Sequence, residues 1–76
     1  MKTKVRYSIV IEIAGSNYSA YCPDLPGCAA TGKTAKKAVS EMKKAIRLHI
    51  TGMKKEGLPI PPPHTQVEYI EIPLSI

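Results

Sequence analysis

The sequence has no tryptophan and no phenylalanine, so Tyr7, Tyr18, Tyr21 and Tyr69 are its only aromatic side chains. A chain of 76 residues buries only roughly 60% of its unfolded surface. Without large rings its core must be thin, and the length supports one domain over residues 1–76. No apolar run approaches the ~18 residues of a membrane span, because the stretch Ser8–Ile13 is broken by Glu12. Met1-Lys2-Thr3-Lys4 is charged, but no apolar stretch and small-residue cleavage site follow it. A cytoplasmic protein with no membrane partner is expected. Metal ligands are scarce too. Cys22 and Cys28 are spaced C-x5-C, and His49 and His64 are the only histidines. That spacing suits neither a zinc knuckle nor a C-x-x-C redox pair, so the cysteines read as two reduced, half-buried thiols. No metal and no cofactor are expected.

Acidic residues are few. Six Asp and Glu stand against eleven Lys and Arg, for a net charge of +5. The excess is local: residues 33–55 carry +7, residues 56–76 carry −3 and residues 1–32 carry +1. A basic segment of this kind serves either as a solvated helix face or as a surface for nucleic acid or an acidic protein.

What is present is a clear alternation of periods. In residues 4–13, Val5, Tyr7, Ile9, Ile11 and Ile13 point one way and Arg6, Ser8, Val10 and Glu12 the other. This predicts a β-strand with one buried face. Ala14-Gly15-Ser16-Asn17 reads as a turn, and Tyr18–Cys22 as a second strand paired antiparallel to the first. Pro23 and Pro26 bracket Asp24-Leu25 ahead of Gly27, a stiff excursion that cannot pair as a central strand. Cys28–Thr31 is long enough for a third strand. Thr34 then suits a helix N-cap, and Ala38, Met42, Ala45, Ile46, His49, Ile50 and Met53 fall on one face of a helix of about twenty residues. Lys36, Lys43, Arg47 and Lys54 lie opposite. Gly57 suits the position just past the helix end, with Pro59 beyond it as a stop. Pro59-Ile60-Pro61-Pro62-Pro63 is an extended, semi-rigid strap. Val67–Ile72 alternates again and predicts a last strand ending at Pro73. The expected architecture is α+β, in the order βββαβ, with one long helix packed on an antiparallel sheet.

Hydrolytic chemistry needs paired carboxylates, a metal cluster, or a nucleophile with a base. No two of Glu12, Asp24, Glu41, Glu68 and Glu71 are brought together by the periodicity, so no catalytic residues are expected. Asp24 is expected to bond its own backbone in an Asx-type turn. His49 is read as structural, a neutral ring bonded to a backbone carbonyl. Leu48 projects off the apolar stripe, which, with the thin core and an unpaired strand edge, predicts self-association as a homodimer or homotetramer.

The run Tyr21-Cys22-Pro23-Asp24-Leu25-Pro26-Gly27-Cys28, then Gly32-Lys33-Thr34, the helix segments Ala38, Ala45-Ile46 and Leu48-His49-Ile50, and Gly57-Leu58-Pro59-Ile60-Pro61-Pro62-Pro63, resembles the HicB-like antitoxin family. The pattern covers residues 5–63. The resemblance implies a partial ribonuclease-H-like βββαβ fold without the nuclease carboxylates. It also implies an antitoxin that neutralises a small RNA-cleaving HicA-type toxin by binding over its active site. Many members carry a C-terminal DNA-binding domain, which is not expected within residues 1–76. On this reading Pro23, Asp24, Leu25, Pro26 and Gly27 contact the partner, because a rigid loop orders at little cost. The second reading is a small nucleic-acid-binding module, or a family member with another protein partner. It would use Lys36, Lys43, Arg47 and Lys54 against phosphates. That stripe lacks interleaved aromatics and a glycine-rich loop, so it is not favoured.

Overall fold

The computed structural model describes residues 4–75; the charged start at Met1–Thr3 and the terminal Ile76 lie outside the described residues. Among these there are three strands, β1 (Val10–Ala14), β2 (Asn17–Tyr21) and β3 (Ala29–Gly32), and one helix, α1 (Ala35–Lys55). The strands form one antiparallel sheet in the order β1-β2-β3. The α+β class read from the sequence is the class observed.

The hairpin between β1 and β2 turns on Gly15 and Ser16, with Ala14 opposite Asn17. Gly15 has φ +64° and Ser16 does not share the positive sign, the pattern of a type II′ turn whose twist matches its strands. Register then decides which side chains face the helix. Ile11 lies opposite Ala20, and Ala20 lies opposite Ala30. Side chains directly opposite each other share a face, so the face that meets the helix is made mostly of small residues. Gly32 completes it. A Cβ there would stand 2.5 Å from the Ala38 nitrogen and 2.8 Å from the Lys37 carbonyl carbon. Only glycine lets the first turns of α1 lie this close to β3.

Both helix ends follow from local chemistry. Thr34 is extended (φ −132°, ψ 163°), and its hydroxyl accepts the Lys37 N–H at 3.0 Å, satisfying one of the helix's unpaired donors. At the other end Gly57 takes φ +71°. The Leu58 N–H bonds the Met53 carbonyl at 2.9 Å and the Gly57 N–H bonds that of Lys54 at 3.1 Å, a Schellman closure. Ala38 and Met42 are buried; Ala45, Ile46 and Ile50 pack partly against the core.

Two expectations are corrected. The first strand begins at Val10 rather than Lys4, because β2 ends at Tyr21 and Pro23, without an N–H, cannot extend the ladder opposite the earlier residues. Val67–Ile72 forms no strand. Its alternation is intact, but no described strand lies beside it to pair with. The first residues of this arm, Val67–Tyr69, line a cavity with Arg6–Ile9. The chain as a whole is elongated, with a radius of gyration of 15.0 Å against about 11 Å for a compact chain of this length.

Candidate functional site

The loop after β2 holds itself together through three backbone hydrogen bonds. The Cys22 N–H donates to the Cys28 carbonyl at 3.2 Å, Leu25 N–H to Cys22 at 3.1 Å, and Cys28 N–H to Leu25 at 3.0 Å. Cys22 and Cys28 thereby continue the β2–β3 register by one more pair. Both thiols are free and buried. Burial, and then the neighbouring Cys22, push the Cys28 thiol above its ordinary value, which keeps it protonated and unreactive.

Within this loop the side chains divide. Leu25 is completely buried and plugs the core from the end of the sheet. Asp24, 8% exposed, is the one buried charged residue among those described. Pro23 is half-buried, and Pro26 and Gly27 are exposed. Gly27 has φ +84°, with nothing within 4 Å of the position a Cβ would take. Of the five residues expected to touch a partner, Pro26 and Gly27 therefore form the outer surface. Asp24 and Leu25 hold it from inside.

Asp24 does not make the Asx-type turn expected of it. One carboxylate oxygen accepts the His64 and Thr65 N–H groups, each at 3.2 Å. The other accepts the Thr65 hydroxyl at 2.8 Å and lies 3.9 Å from His64 Nε2. Burial alone would push this carboxyl up. The Thr65 hydroxyl, the two backbone donors and the His64 ring outweigh it and hold the group below its ordinary value of 3.8. The strap is tied twice more, by Tyr7 donating its hydroxyl to the Pro61 carbonyl at 2.6 Å and by Ser8 donating to the Thr65 carbonyl at 2.9 Å. Asp24 and its partners are about forty residues apart, and no local signal in the sequence connects them.

The loop also meets the helix. Gly27, Cys28 and Ala29 share a shallow hollow with Ala45, Leu48 and His49. Leu48 is 76% exposed beside it. His49 is half-buried, and no hydrogen bond of its ring is present among the described residues; it packs at the hollow's wall rather than bonding a carbonyl. Lys36, Lys43, Arg47 and Lys54 are all exposed on the outer face of α1. Sequence spacing missed that Lys4 and Arg6 join Lys43 and Arg47 around one groove, floored by Tyr7, Ile46 and Ile50. Glu41 is flanked by Lys37 and Lys44, each at 3.6 Å, pairs that contribute little at an exposed surface. Among the described residues no three His, Cys, Asp or Glu side chains converge as a metal-holding group, and no helix is long and apolar enough to cross a membrane.

The loop, the strap and the helix start are the segments that a family model for the HicB-like antitoxin of bacterial toxin-antitoxin systems also spans, matching residues 7–73. The chain belongs to the HicB-like antitoxin family. Among solved structures it is similar to a chain of the HicA3 and HicB3 toxin-antitoxin complex, with a TM-score of 0.68 and 32% identity over 78% of this chain and 70% of that one. An uncharacterised 14.9 kDa protein of Haemophilus phage HP1 is 36% identical over 88% of this chain, which spans 50% of the phage protein's length. The UPF0150 protein Ta0767 of Thermoplasma acidophilum is 38% identical over 75% of this chain and 84% of its own. The UPF0150 protein ssr1765 of Synechocystis is 34% identical over 92% and 85% respectively. In this HicB-like chain the D-L-P-G-C loop is thus a structural corner with one outward face, not a fully exposed finger.

Proposed function

We propose that this HicB-like chain is a cytoplasmic antitoxin that binds and neutralises a small HicA-like RNA-cleaving toxin and performs no catalysis of its own. The observation that carries the reading is the family match over residues 7–73, joined to the likeness to a HicA3 and HicB3 complex. The chemistry of Asp24 points the same way. The one buried carboxylate among the described residues is fully engaged by the strap and held ionised, the opposite of the raised, available carboxyl that a general acid requires.

The surface proposed to meet the toxin is the rim of the loop at Pro26 and Gly27, the adjoining open edge of β3, and Leu48 on the helix. Asp24 and Leu25 set the loop's shape, and His49 packs beneath it. An exposed strand edge and an exposed leucine beside a rigid corner are what a protein partner can cover without reordering the chain.

The test is RNA cleavage by a purified HicA-family toxin, the one encoded beside this chain where such a gene exists. Cleavage should stop near equimolar addition of this chain. Leu48→Lys should weaken neutralisation by about tenfold, the loss of one anchor contact, with an unchanged melting curve, and His49→Leu should leave it intact. Undiminished cleavage with excess chain would overturn the reading. So would tight nucleic-acid binding at physiological salt that is lost in a Lys43→Glu/Arg47→Glu variant, since contacts to phosphate alone weaken steeply as salt rises.

A further inference from the structure

The C-terminal arm carries strand chemistry but joins no ladder among the described residues. Tyr69 is 94% exposed, Ile70 79% and Ile72 66%. In an extended arm, one face bears Glu68, Ile70, Ile72 and Leu74 and the other bears Val67, Tyr69 and Glu71. Contiguous exposed apolar groups of this kind mark an interaction surface.

The chain also holds a site of matching chemistry. The groove between residues 4–7 and the helix has an apolar floor of Tyr7, Ile46 and Ile50 and a rim of four cations, Lys4, Arg6, Lys43 and Arg47. Residues 4–9 precede the first strand and have no ladder partner in β2. Thr65–Tyr69 of the same chain stand across a cavity from Arg6–Ile9, while the side of residues 4–7 that faces the helix is the groove left for an added strand. The arm is acidic and apolar, and the groove is basic and apolar.

We propose that two copies of this chain exchange arms, residues 67–74 of each lying in the Lys4–Arg47 groove of the other, with Ile70 and Ile72 turned to the floor. Glu68 lies beside them on that face and Glu71 on the outward face, both carboxylates within reach of the long cationic side chains of the rim. The exchange is reciprocal, so one interaction is made twice about a two-fold axis. The occupant is chosen by charge: residues 56–76 carry −3 in a chain whose net charge is +5, and the groove's cations find in that segment an acidic partner of strand-forming sequence. The proposal stands apart from toxin neutralisation, because it is read in the absence of any toxin.

Sedimentation of the full chain at micromolar concentration should give about twice its 8.3 kDa mass. Glu68→Lys/Glu71→Lys places a basic arm against a basic groove, and Lys4→Glu/Arg6→Glu places an acidic arm against a groove that has lost half its cations. Each double variant alone should associate at least about tenfold more weakly, as like charges replace opposite ones. An equimolar mixture should recover the dimer in part, since the unaltered acidic arm of one variant meets the unaltered basic groove of the other, and the basic arm meets a groove whose charges now balance rather than repel it. All four residues are exposed, so folding should survive and circular dichroism will confirm it. A monomeric wild type overturns the proposal, with the arm then folded on its own chain or awaiting the toxin. A dimer that persists in Lys4→Glu/Arg6→Glu alone overturns it as well, since the arms would then be pairing with each other.

Discussion

The two sides of this small sheet are packed by opposite rules. Over β2 and β3 the helix lies close on Ala20, Cys22, Cys28, Ala30 and Gly32, with Leu25 and Met42 filling what space remains. Around β1 and the C-terminal arm the residues are larger and more strand-forming, yet Ile13 is 74% exposed and Leu74 89%. Large apolar side chains are the ones with most to gain from burial. Here the sheet face under the helix is sealed mainly with small residues, and several of the largest strand formers are left open. The closed side is where the chain makes its own fold, and the open side is where it has surface to offer.

The sharpest way to break the closed side is Gly32→Ala. The added methyl would meet backbone, not a flexible side chain, so the helix start must lift from β3. A loss of about 3 kcal/mol or more is expected, at the upper end of overpacking effects, and urea denaturation will read it. If stability stays within ~0.5 kcal/mol of wild type, the range of neutral surface changes, the close approach described above is wrong.

A smaller effect is expected where the closed side ties down the strap. Asp24→Asn should leave the core folded while amide exchange at His64 and Thr65 speeds up. The same event should follow from acid. The Asp24 carboxyl is depressed in the folded chain, so its contribution is complete above its ordinary value of 3.8 and is lost as pH falls through the lower folded value. Amide shifts of residues 64 and 65 followed from neutral pH downward should hold steady to about pH 4 and move below it, within the range where native carboxylates protonate. Movement beginning near neutrality would mean that the Asp24 carboxylate is not what holds the strap.

The smallest effect belongs to the open side. Ile13→Thr removes apolar surface that is already in water and keeps a β-branched strand former. Its cost should fall within about 0.5 kcal/mol, as for surface substitutions elsewhere. A loss comparable to that of Gly32→Ala would mean that β1 is covered in the folded chain after all.

The same division explains what could be read from the residues. The helix was legible from Thr34 to Gly57 because its signals are local: a hydroxyl cap, a 3.6-residue period and a glycine at the left-handed closing position. The hairpin was legible from Gly15-Ser16 and the alternation on either side. Val67–Ile72 misled because alternation reports what a segment can do, and a strand exists only with a neighbour. The burial of Ile11 and Ile13 was overestimated for a related reason. The helix sits over β3 and β2 and scarcely reaches β1, a placement fixed by Gly32 and two alanines that carry no periodic signal of their own. In the candidate site, the loop's rigidity showed in its prolines. That Asp24 and Leu25 turn inward rests on contacts with residues far along the chain.

The triple tie on the strap bears on how fast the arm is found, as distinct from how tightly it is held. Tyr7, Ser8 and Asp24 clasp residues 61–65, and four prolines stiffen the approach. Only Gln66 separates the last clasped residue from Val67. The point and direction of departure are therefore settled before any encounter, and the search left to the arm is that of a short hinge, not of a loose tail. Little chain entropy remains to be lost on capture. Association through this arm should therefore be governed by collision and charge, and its rate should fall as salt or solvent viscosity rises.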